Sequence, residues 1–223
     1  MEPNTSQSGG AKLKLTPQLA IYSLLCIACA TAPLLLGWSR EWQRPAIWLM
    51  VVLGYRWLEQ AGYSPRRTAG QRKGEWLFYA IYLGFSGSIL LPAVEFAFIQ
   101  RPASLLLSAT GVVLAALGAW SRHLSVKTIG EHFSTHVEVR PGHELVDSGI
   151  MSVIRHPGYT GAMLFTLGGA LVLQSYYSLL YVCLFYWPLL FIRIVIEERE
   201  LSANLAGYSE YRKRTKRLIP FVF

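Results

Sequence analysis

The residues best suited to chemistry lie in the second half of the chain, where all five histidines fall between His123 and His156. His132 and His136 are four residues apart and would share one face of a helix, as metal-ligand pairs often do. Five histidines and Asp147 are fewer ligands than a membrane di-iron centre needs. A single zinc site and interfacial histidines bonded to backbone both stay open. We favour the second interpretation for His123, His132 and His136.

A second constellation is the run Arg155-His156-Pro157-Gly158-Tyr159-x-Gly161. Pro157 suits the first residue of a helix, because its missing N–H costs nothing there. Arg155 and His156 would then stand at the helix N-terminus, where free N–H groups and the helix dipole favour an anion. Glycines at Gly158 and Gly161 would let a ligand approach the backbone. The alternative is a helix cap at the membrane entry, with Arg155 at the phosphate level.

A third constellation is Arg193-x-x-x-Glu197-Glu198, at the end of an apolar segment. Arg193 and Glu197 are one helical turn apart, so they share a face. An ionisable residue within a membrane span indicates a functional site by default. The alternative is an arginine that extends to the interface, with Glu197 as a structural partner.

The composition indicates a membrane protein. The chain has 223 residues, enough for one domain, and is 52% hydrophobic and only 15% charged. Several apolar runs approach the roughly 20 residues that cross a bilayer core. A soluble protein would need many uncharged runs too long for globular packing. The net charge of +8 collects between the apolar runs and at the C-terminus, which reports membrane orientation rather than nucleic-acid binding.

We therefore predict an all-α polytopic membrane protein with about six transmembrane helices, the last two forming a hairpin that turns at Gln174–Ser175. A disordered N-terminus (1–16) precedes a four-helix transmembrane region (17–120) and a catalytic region (121–223). Leu201, Leu205, Tyr208 and Tyr211 recur at helical spacing and predict an amphipathic surface helix. The predicted spans are about 17–38, 45–58, 75–99, 103–120, 158–173 and 176–196.

The distribution of lysine and arginine predicts the orientation. Six spans place the N-terminus, the loop 62–74, the segment 121–155 and the C-terminus on one side of the membrane. That side carries nearly all the basic residues, so we expect it to face the cytoplasm. The histidine segment and the C-terminal tail would meet there.

The ordered motifs of the C-terminal two-fifths resemble those of the isoprenylcysteine carboxyl methyltransferase family, within a wider group of small membrane methyltransferases. The matching residues, in order, are Gly130-x-x-Phe133-Ser134, His143-x-Leu145-Val146-x-x-Gly149, Arg155-His156-Pro157-x-Tyr159-x-Gly161, Arg193-x-x-x-Glu197-Glu198-x-x-Leu201, Gly207-Tyr208-x-x-Tyr211 and Pro220-Phe221. The resemblance covers roughly Gly130 to Phe223, and the N-terminal half is similar only in being a set of membrane spans.

The resemblance implies S-adenosyl-L-methionine as methyl donor and no metal. It also implies that Arg193 binds the substrate carboxylate and acts in catalysis. Met151 stands where the family usually has tyrosine, and the spacing around Glu138 differs from the family pattern. The cofactor-binding residues that we predict on this basis are Glu138, His143, Glu144, Leu145, Val146, Gly149, Met151, Arg155, His156, Pro157, Gly158, Tyr159, Glu197 and Glu198.

The implied reaction suits a membrane site. A carboxylate is already ionised at neutral pH, so its methylation needs alignment and exclusion of water rather than a strong base. We expect a lipophilic or prenylated acceptor that enters from the bilayer, with membrane lipids as neighbours and no nucleic acid. A phospholipid amine, a phenolic lipid or a thiol are alternative acceptors, and a metal-binding membrane protein is the alternative of another class. The location would be the cell or inner membrane in a prokaryote and the endoplasmic reticulum in a eukaryote.

Overall fold

A computed structural model describes residues 41–61, 75–99, 101–130 and 144–220, together with the isolated positions Leu24, Ile27, Ala28 and Thr31. The predicted disordered N-terminus and the basic loop 62–74 lie outside the described residues, as does the predicted span 17–38 apart from those four positions. Glu138, His143, His132 and His136 lie outside them as well.

The described residues form six α-helices and one 3-10 turn. The helices are α1 (Gln43–Ala61), α2 (Glu75–Phe98), α3 (Leu105–Ile129), α4 (Pro157–Val172), α5 (Tyr176–Asn204) and α6 (Tyr208–Arg214), and the turn is Gly149–Ser152. α5 contains a π-helical segment at Val182–Tyr186. Within the described ranges the only β pairing is an isolated parallel bridge between Ile154 and Lys216.

Successive long helices run in alternating directions between two polar ends. At one end, the Nη2 atom of Arg44 donates to the carbonyl of Arg101 (3.2 Å), and the Nη1 atom of Arg101 donates to the carbonyl of Gln174 (3.2 Å). At the other end, the hydroxyl of Ser121 donates to the carbonyl of Pro157 (2.8 Å). The segment before α4 and the C-terminal tail therefore lie at the same end as the C-termini of α1, α3 and α5.

α3 and α4 pack backbone against backbone through glycines. A Cβ atom added at Gly118 would lie 2.5 Å from the Gly161 carbonyl oxygen and 2.5 Å from the Phe165 nitrogen. One at Gly168 would lie 2.5 Å from the Gly111 carbonyl oxygen. Small residues permit this close approach of helices in a membrane.

Aromatic rings fill the space between the helices away from the two polar ends. The rings of Tyr55 and Phe165 lie with centroids 4.0 Å apart, and Phe85 lies 5.9 Å from Tyr186. Trp48 on α1 is also fully buried. These contacts tie α1, α2 and α5 to the α3–α4 pair.

A buried glutamate organises the end remote from α4's N-terminus. Glu95 on α2 accepts hydrogen bonds from the Ser178 backbone N–H (2.9 Å) and hydroxyl (2.9 Å), at the first turn of α5. It also pairs with Arg101 Nη1 at 2.6 Å. The turn predicted at Gln174–Ser175 is confirmed, and its side chains bond back to α2 and α3.

The all-helical class is confirmed for the described residues, whereas only part of the six-span arrangement is recovered. Three helices there are long and apolar enough to cross a membrane, namely Trp76–Phe98, Leu105–Ile129 and Tyr176–Asn204. α4 has 16 residues, and α1 carries Arg44, Arg56 and Glu59.

Two predicted boundaries are wrong. α3 does not end near Trp120 but continues to Ile129, because its polar residues pair with α1 and α4 instead of entering a loop. The single amphipathic helix predicted from Leu201 to Tyr211 is not confirmed either. α5 ends at Asn204 and Gly207 adopts the left-handed conformation (φ 79°), so α6 begins in a new direction.

Candidate active site

The C-terminal strap, residues 215–218, lies along the segment that leads into α4. The backbone N–H of Arg155 donates to the Lys216 carbonyl (2.8 Å), and that of His156 donates to the Arg217 carbonyl (3.0 Å). The hydroxyl of Thr160 donates to the Leu218 carbonyl (2.9 Å). The strap therefore fixes the position of Arg155 and His156 at the start of α4.

Glu198 is the centre of a buried charge cluster beneath the strap. Its Oε1 atom accepts from Arg155 Nε (2.9 Å) and lies 3.3 Å from His156 Nε2. Its Oε2 atom accepts from Arg217 Nε (3.0 Å). The Nη1 atom of Arg155 also donates to the carbonyls of Arg212 and Thr215. Both carboxylate oxygens of Glu198 are thus bonded within the protein, although its cofactor role and that of Arg155 stay predictions.

A second group of three side chains lies across the α4–α5 interface. The hydroxyl of Tyr159 donates to Glu197 Oε2 (2.5 Å) and accepts from Arg193 Nε (2.7 Å). Arg193 and Glu197 are themselves 4.0 Å apart. Tyr159 therefore connects the arginine and the glutamate, and we call these residues the Arg193–Tyr159–Glu197 relay.

Adjacent glutamates on α5 have different surroundings. The side chain of Glu198 is 3% exposed and that of Glu197 is 28% exposed. Among the described residues, Glu197 Oε1 has no hydrogen-bond partner, since both contacts of this carboxylate involve Oε2. Glu197 can therefore accept a further hydrogen bond from a ligand, whereas both oxygens of Glu198 already have partners in the protein.

The segment 144–152 approaches the site from the side of α6. The hydroxyl of Tyr211 donates to the Met151 carbonyl at 2.6 Å, and Asp147 pairs with Arg214. Burial raises the pKa of Tyr211 to about 12, so its phenol is protonated and can donate at neutral pH. Leu145 and Val146 are half-buried, while Glu144 is exposed. Gly149 has a positive φ of 58°.

The structure brings together the predicted residues of the second and third constellations, at the start of α4 and on α5. The predicted residues Glu144, Leu145, Val146, Gly149 and Met151 lie in the separate segment beside α6. No group of three or more histidine, cysteine, aspartate or glutamate residues suited to a metal occurs in the described part of the chain. His123 Nδ1 lies 2.9 Å from the Leu58 carbonyl, as the backbone-bonded interpretation predicts.

Two charged residues near the relay were missed. Arg122 on α3 donates through Nε and Nη2 to Glu59 on α1, at 3.2 and 3.1 Å. From the sequence, Arg122 falls in the polar segment 121–155 and Glu59 lies just beyond the predicted span 45–58, so neither was predicted as a site residue. The available signal was the helical continuation of α3 past Trp120, because Arg122 lies one turn beyond Gly118 on the face that packs on α4.

Three of the described helices are apolar and long enough to span a membrane. At one polar end of the bundle, Arg193, Tyr159 and the partly exposed Glu197 lie together. This fold and site define a helical membrane protein with a group of charged side chains at one end. Residues 110–203 match the model of the isoprenylcysteine carboxyl methyltransferase (ICMT) family. The family resemblance predicted from the motifs is therefore confirmed for this region, which includes the whole Arg193–Tyr159–Glu197 relay.

Curated relatives carry the same family name. The protein-S-isoprenylcysteine O-methyltransferase of Saccharomyces cerevisiae is 32% identical over 138 residues, which cover 60% of this chain and 57% of the relative. Protein-S-isoprenylcysteine O-methyltransferase B of Arabidopsis thaliana is 29% identical over 115 residues (50% and 58%). The Homo sapiens protein is 32% identical over 121 residues (52% and 42%). The matches thus span about half the length of these relatives.

Proposed function

We propose that this chain is a membrane-embedded S-adenosyl-L-methionine-dependent methyltransferase that methylates the carboxylate of a prenylcysteine-like or other lipophilic acceptor. The observation that carries the proposal is the Arg193–Tyr159–Glu197 relay, which lies within the region similar to isoprenylcysteine methyltransferases. It supports the proposal because Arg193, the cation that we propose for the acceptor carboxylate, lies beside Glu197, an anion that can accept a further hydrogen bond.

The side chains at the site suit the proposed methyl donor. Glu197 offers its Oε1 atom to ammonium or hydroxyl donors, and the half-buried Leu145 and Val146 offer apolar contact to an adenosyl group. When bound, S-adenosyl-L-methionine supplies an electrophilic sulfonium methyl group. Glu197, Tyr159, His156 and the segment 144–151 would hold it.

Arg193 is the residue that we propose to orient the acceptor. Its side chain is 7% exposed, so a carboxylate that pairs with it is held in surroundings that contain little water. A guanidinium binds a carboxylate in a fixed planar geometry, and such charge-assisted bonds are stronger where water is excluded. Alignment in a dry site can supply most of the required acceleration.

The arrangement in the membrane follows from the same proposal. We infer six spans, with the α4 N-terminus and the basic tail on the cytoplasmic side. The soluble donor would enter from the cytoplasm, whereas a lipid-like acceptor would enter sideways between apolar helices. Exposed apolar residues on α5, including Leu184, Phe185 and Phe191, present such a surface.

Calorimetric binding of S-adenosylhomocysteine to detergent-purified protein tests the cofactor assignment. Glu197→Ala should abolish binding, whereas Glu210→Ala, an exchange on the exposed face of α6, should leave it intact. If the unmodified protein binds no S-adenosylhomocysteine and contains stoichiometric zinc or iron, the methyltransferase proposal is wrong.

An acceptor screen with labelled S-adenosyl-L-methionine tests the substrate class. The panel contains a farnesylated cysteine analogue, phospholipids, phenolic lipids and thiols, and we expect label in a base-labile methyl ester of the first. Arg193→Ala should keep cofactor binding and lose this turnover, while Arg199→Ala, exposed on the same helix, should keep both. Labelling of an amine, phenol or thiol alone would refute carboxyl methylation.

A further inference from the structure

Three helices meet through charged side chains next to the relay. The carboxylate of Glu59 on α1 accepts from Arg56 Nη1 at 2.6 Å through one oxygen. Through its other oxygen it accepts from both Nε and Nη2 of Arg122, at 3.2 and 3.1 Å. The Arg122 and Glu59 side chains are only 17% and 20% exposed. The pair therefore joins α1 to α3 where water has limited access.

The Nη1 atom of Arg122 lies beside the first turn of α4. A Cβ atom added at Gly158 would lie 3.0 Å from Arg122 Nη1 and 3.0 Å from the hydroxyl of Ser125. One residue earlier, the Pro157 carbonyl accepts from Ser121. The turn that carries Tyr159 thus packs on a polar face of α3, where Glu59 bonds the guanidinium of Arg122.

The charge of Arg122 also acts on the Arg193–Tyr159–Glu197 relay. Arg122 is close enough to act on both Tyr159 and Arg193. The positive charge of Arg122 repels Arg193 and competes with it for an anionic ligand. Glu59 offsets that charge, because it bonds two nitrogen atoms of Arg122 at once.

We propose that Glu59 and Arg122 are positioning residues for methyl transfer, which fix the first turn of α4 and thereby hold the Tyr159 hydroxyl between Arg193 and Glu197. The inference rests on the proposed function and extends it. It assigns part of the active-site support to α1, which lies outside the residues 110–203 that match the family.

The test compares Glu59→Gln and Arg122→Lys with the unmodified protein in the farnesylated-cysteine assay. The first variant removes the charge and keeps the size, and the second keeps the charge and removes the planar fork. We expect kcat to fall about tenfold or more in each, because a misplacement of about 1 Å at a reacting centre can cost a hundredfold. The Kd of S-adenosylhomocysteine should rise as well, because Tyr159 is also proposed to hold the donor. The loss in kcat should exceed the change in Kd, since a larger loss in kcat marks an effect on the transition state.

Arg101→Lys is the matched control, because it alters an interhelical ion pair of similar type at the opposite end. It should lower the melting temperature and leave kcat unchanged. A double-mutant cycle with Tyr159→Phe then separates positioning from general stabilisation. If Glu59 acts through Tyr159, Glu59→Gln should have little further effect on kcat in the Tyr159→Phe background.

Unchanged kcat in Glu59→Gln and Arg122→Lys, or full additivity with Tyr159→Phe, would overturn the inference while leaving the proposed function intact. Failure of the proposed function looks different, because the unmodified protein would then transfer no methyl group to any acceptor in the screen.

Discussion

Truncation of Glu198 should destabilise the protein far more than loss of one hydrogen bond. This carboxylate bonds Arg155 and Arg217 and lies beside His156, at 3% side-chain exposure. Glu198→Ala leaves two guanidinium groups together without their shared anion. Removing one partner of a buried ion pair costs about 3–5 kcal/mol. For a chain of this length each kcal/mol is worth about 2–4 °C, so we expect the melting temperature to fall by roughly 6–20 °C.

The measurement is thermal unfolding of the detergent-purified protein, followed by the change in tryptophan fluorescence. Limited trypsin digestion adds a local readout, because the last turn of α6, next to the strap, offers Arg212, Lys213 and Arg214 as cleavage sites. We call cleavage at these sites tail cleavage. Tail cleavage should become faster in Glu198→Ala, since Arg217 and Arg155 lose the anion that holds the strap to the start of α4.

Glu210→Ala is the control for this prediction. Glu210 pairs with Lys213 on the solvent-exposed side of α6, where both side chains are more than 70% exposed. Exposed ion pairs contribute little, so its melting temperature should stay within about 2 °C of the unmodified value. Equal melting temperatures and equal tail cleavage in the two variants would refute the reasoning that Glu198 holds the strap.

Three further predictions concern other parts of the molecule. Tyr159→Phe should lower kcat about tenfold to a hundredfold, because each charge-assisted bond of the hydroxyl is worth about 1.5–3 kcal/mol, and the labelled methyl-transfer assay would contradict this if kcat were unchanged. Gly118→Ala should lower the melting temperature by roughly 2–12 °C through overpacking. Gly169→Ala should leave it unchanged, because an added Cβ there meets nothing within 4 Å. Equal melting temperatures in the two variants would show that α3 and α4 can separate freely. Glu95→Gln should cost about 2 kcal/mol of unfolding free energy while methyl transfer continues at the normal rate, and a loss of turnover at unchanged stability would contradict the separation of the two polar ends.

The sequence predicts the long helices well where apolar runs are bounded by clear signals. Pro157 begins α4 as expected for a proline at the first helical position, and the turn at Gln174–Ser175 lies where the apolar run breaks. The extension of α3 to Ile129 was missed because Ser121, Arg122 and His123 look like a polar connection. Inside the bundle these polar side chains form hydrogen bonds with α1 and α4. Those partners are distant along the chain, so the neighbouring sequence does not reveal them.

The sequence predicted which residues form the candidate site, but not the hydrogen bonds that join them. The spacing of Arg193 and Glu197 places them on one helical face, which the 4.0 Å separation confirms. The hydroxyl that joins them belongs to Tyr159, which is 34 residues away from Arg193 along the chain. The strap leaves no local pattern either, because its parallel bridge pairs positions 154 and 216 through backbone groups that any residues could provide.

In the pair Glu197–Glu198, the proposed ligand-binding role of Glu197 depends on the structural role of Glu198. Consecutive residues on a helix point about 100° apart, so the Glu197 carboxylate faces Tyr159 and Arg193 while that of Glu198 faces the strap. Glu198 is surrounded by cations, and both of its oxygens are bonded within the cluster that fixes His156. Because that cluster holds the start of α4, it also fixes Tyr159 one turn further on. The Glu198 cluster therefore helps to hold the Tyr159 hydroxyl on Glu197 Oε2. Glu197 Oε1 stays able to accept a hydrogen bond from a ligand, whereas both oxygens of Glu198 have partners in the protein.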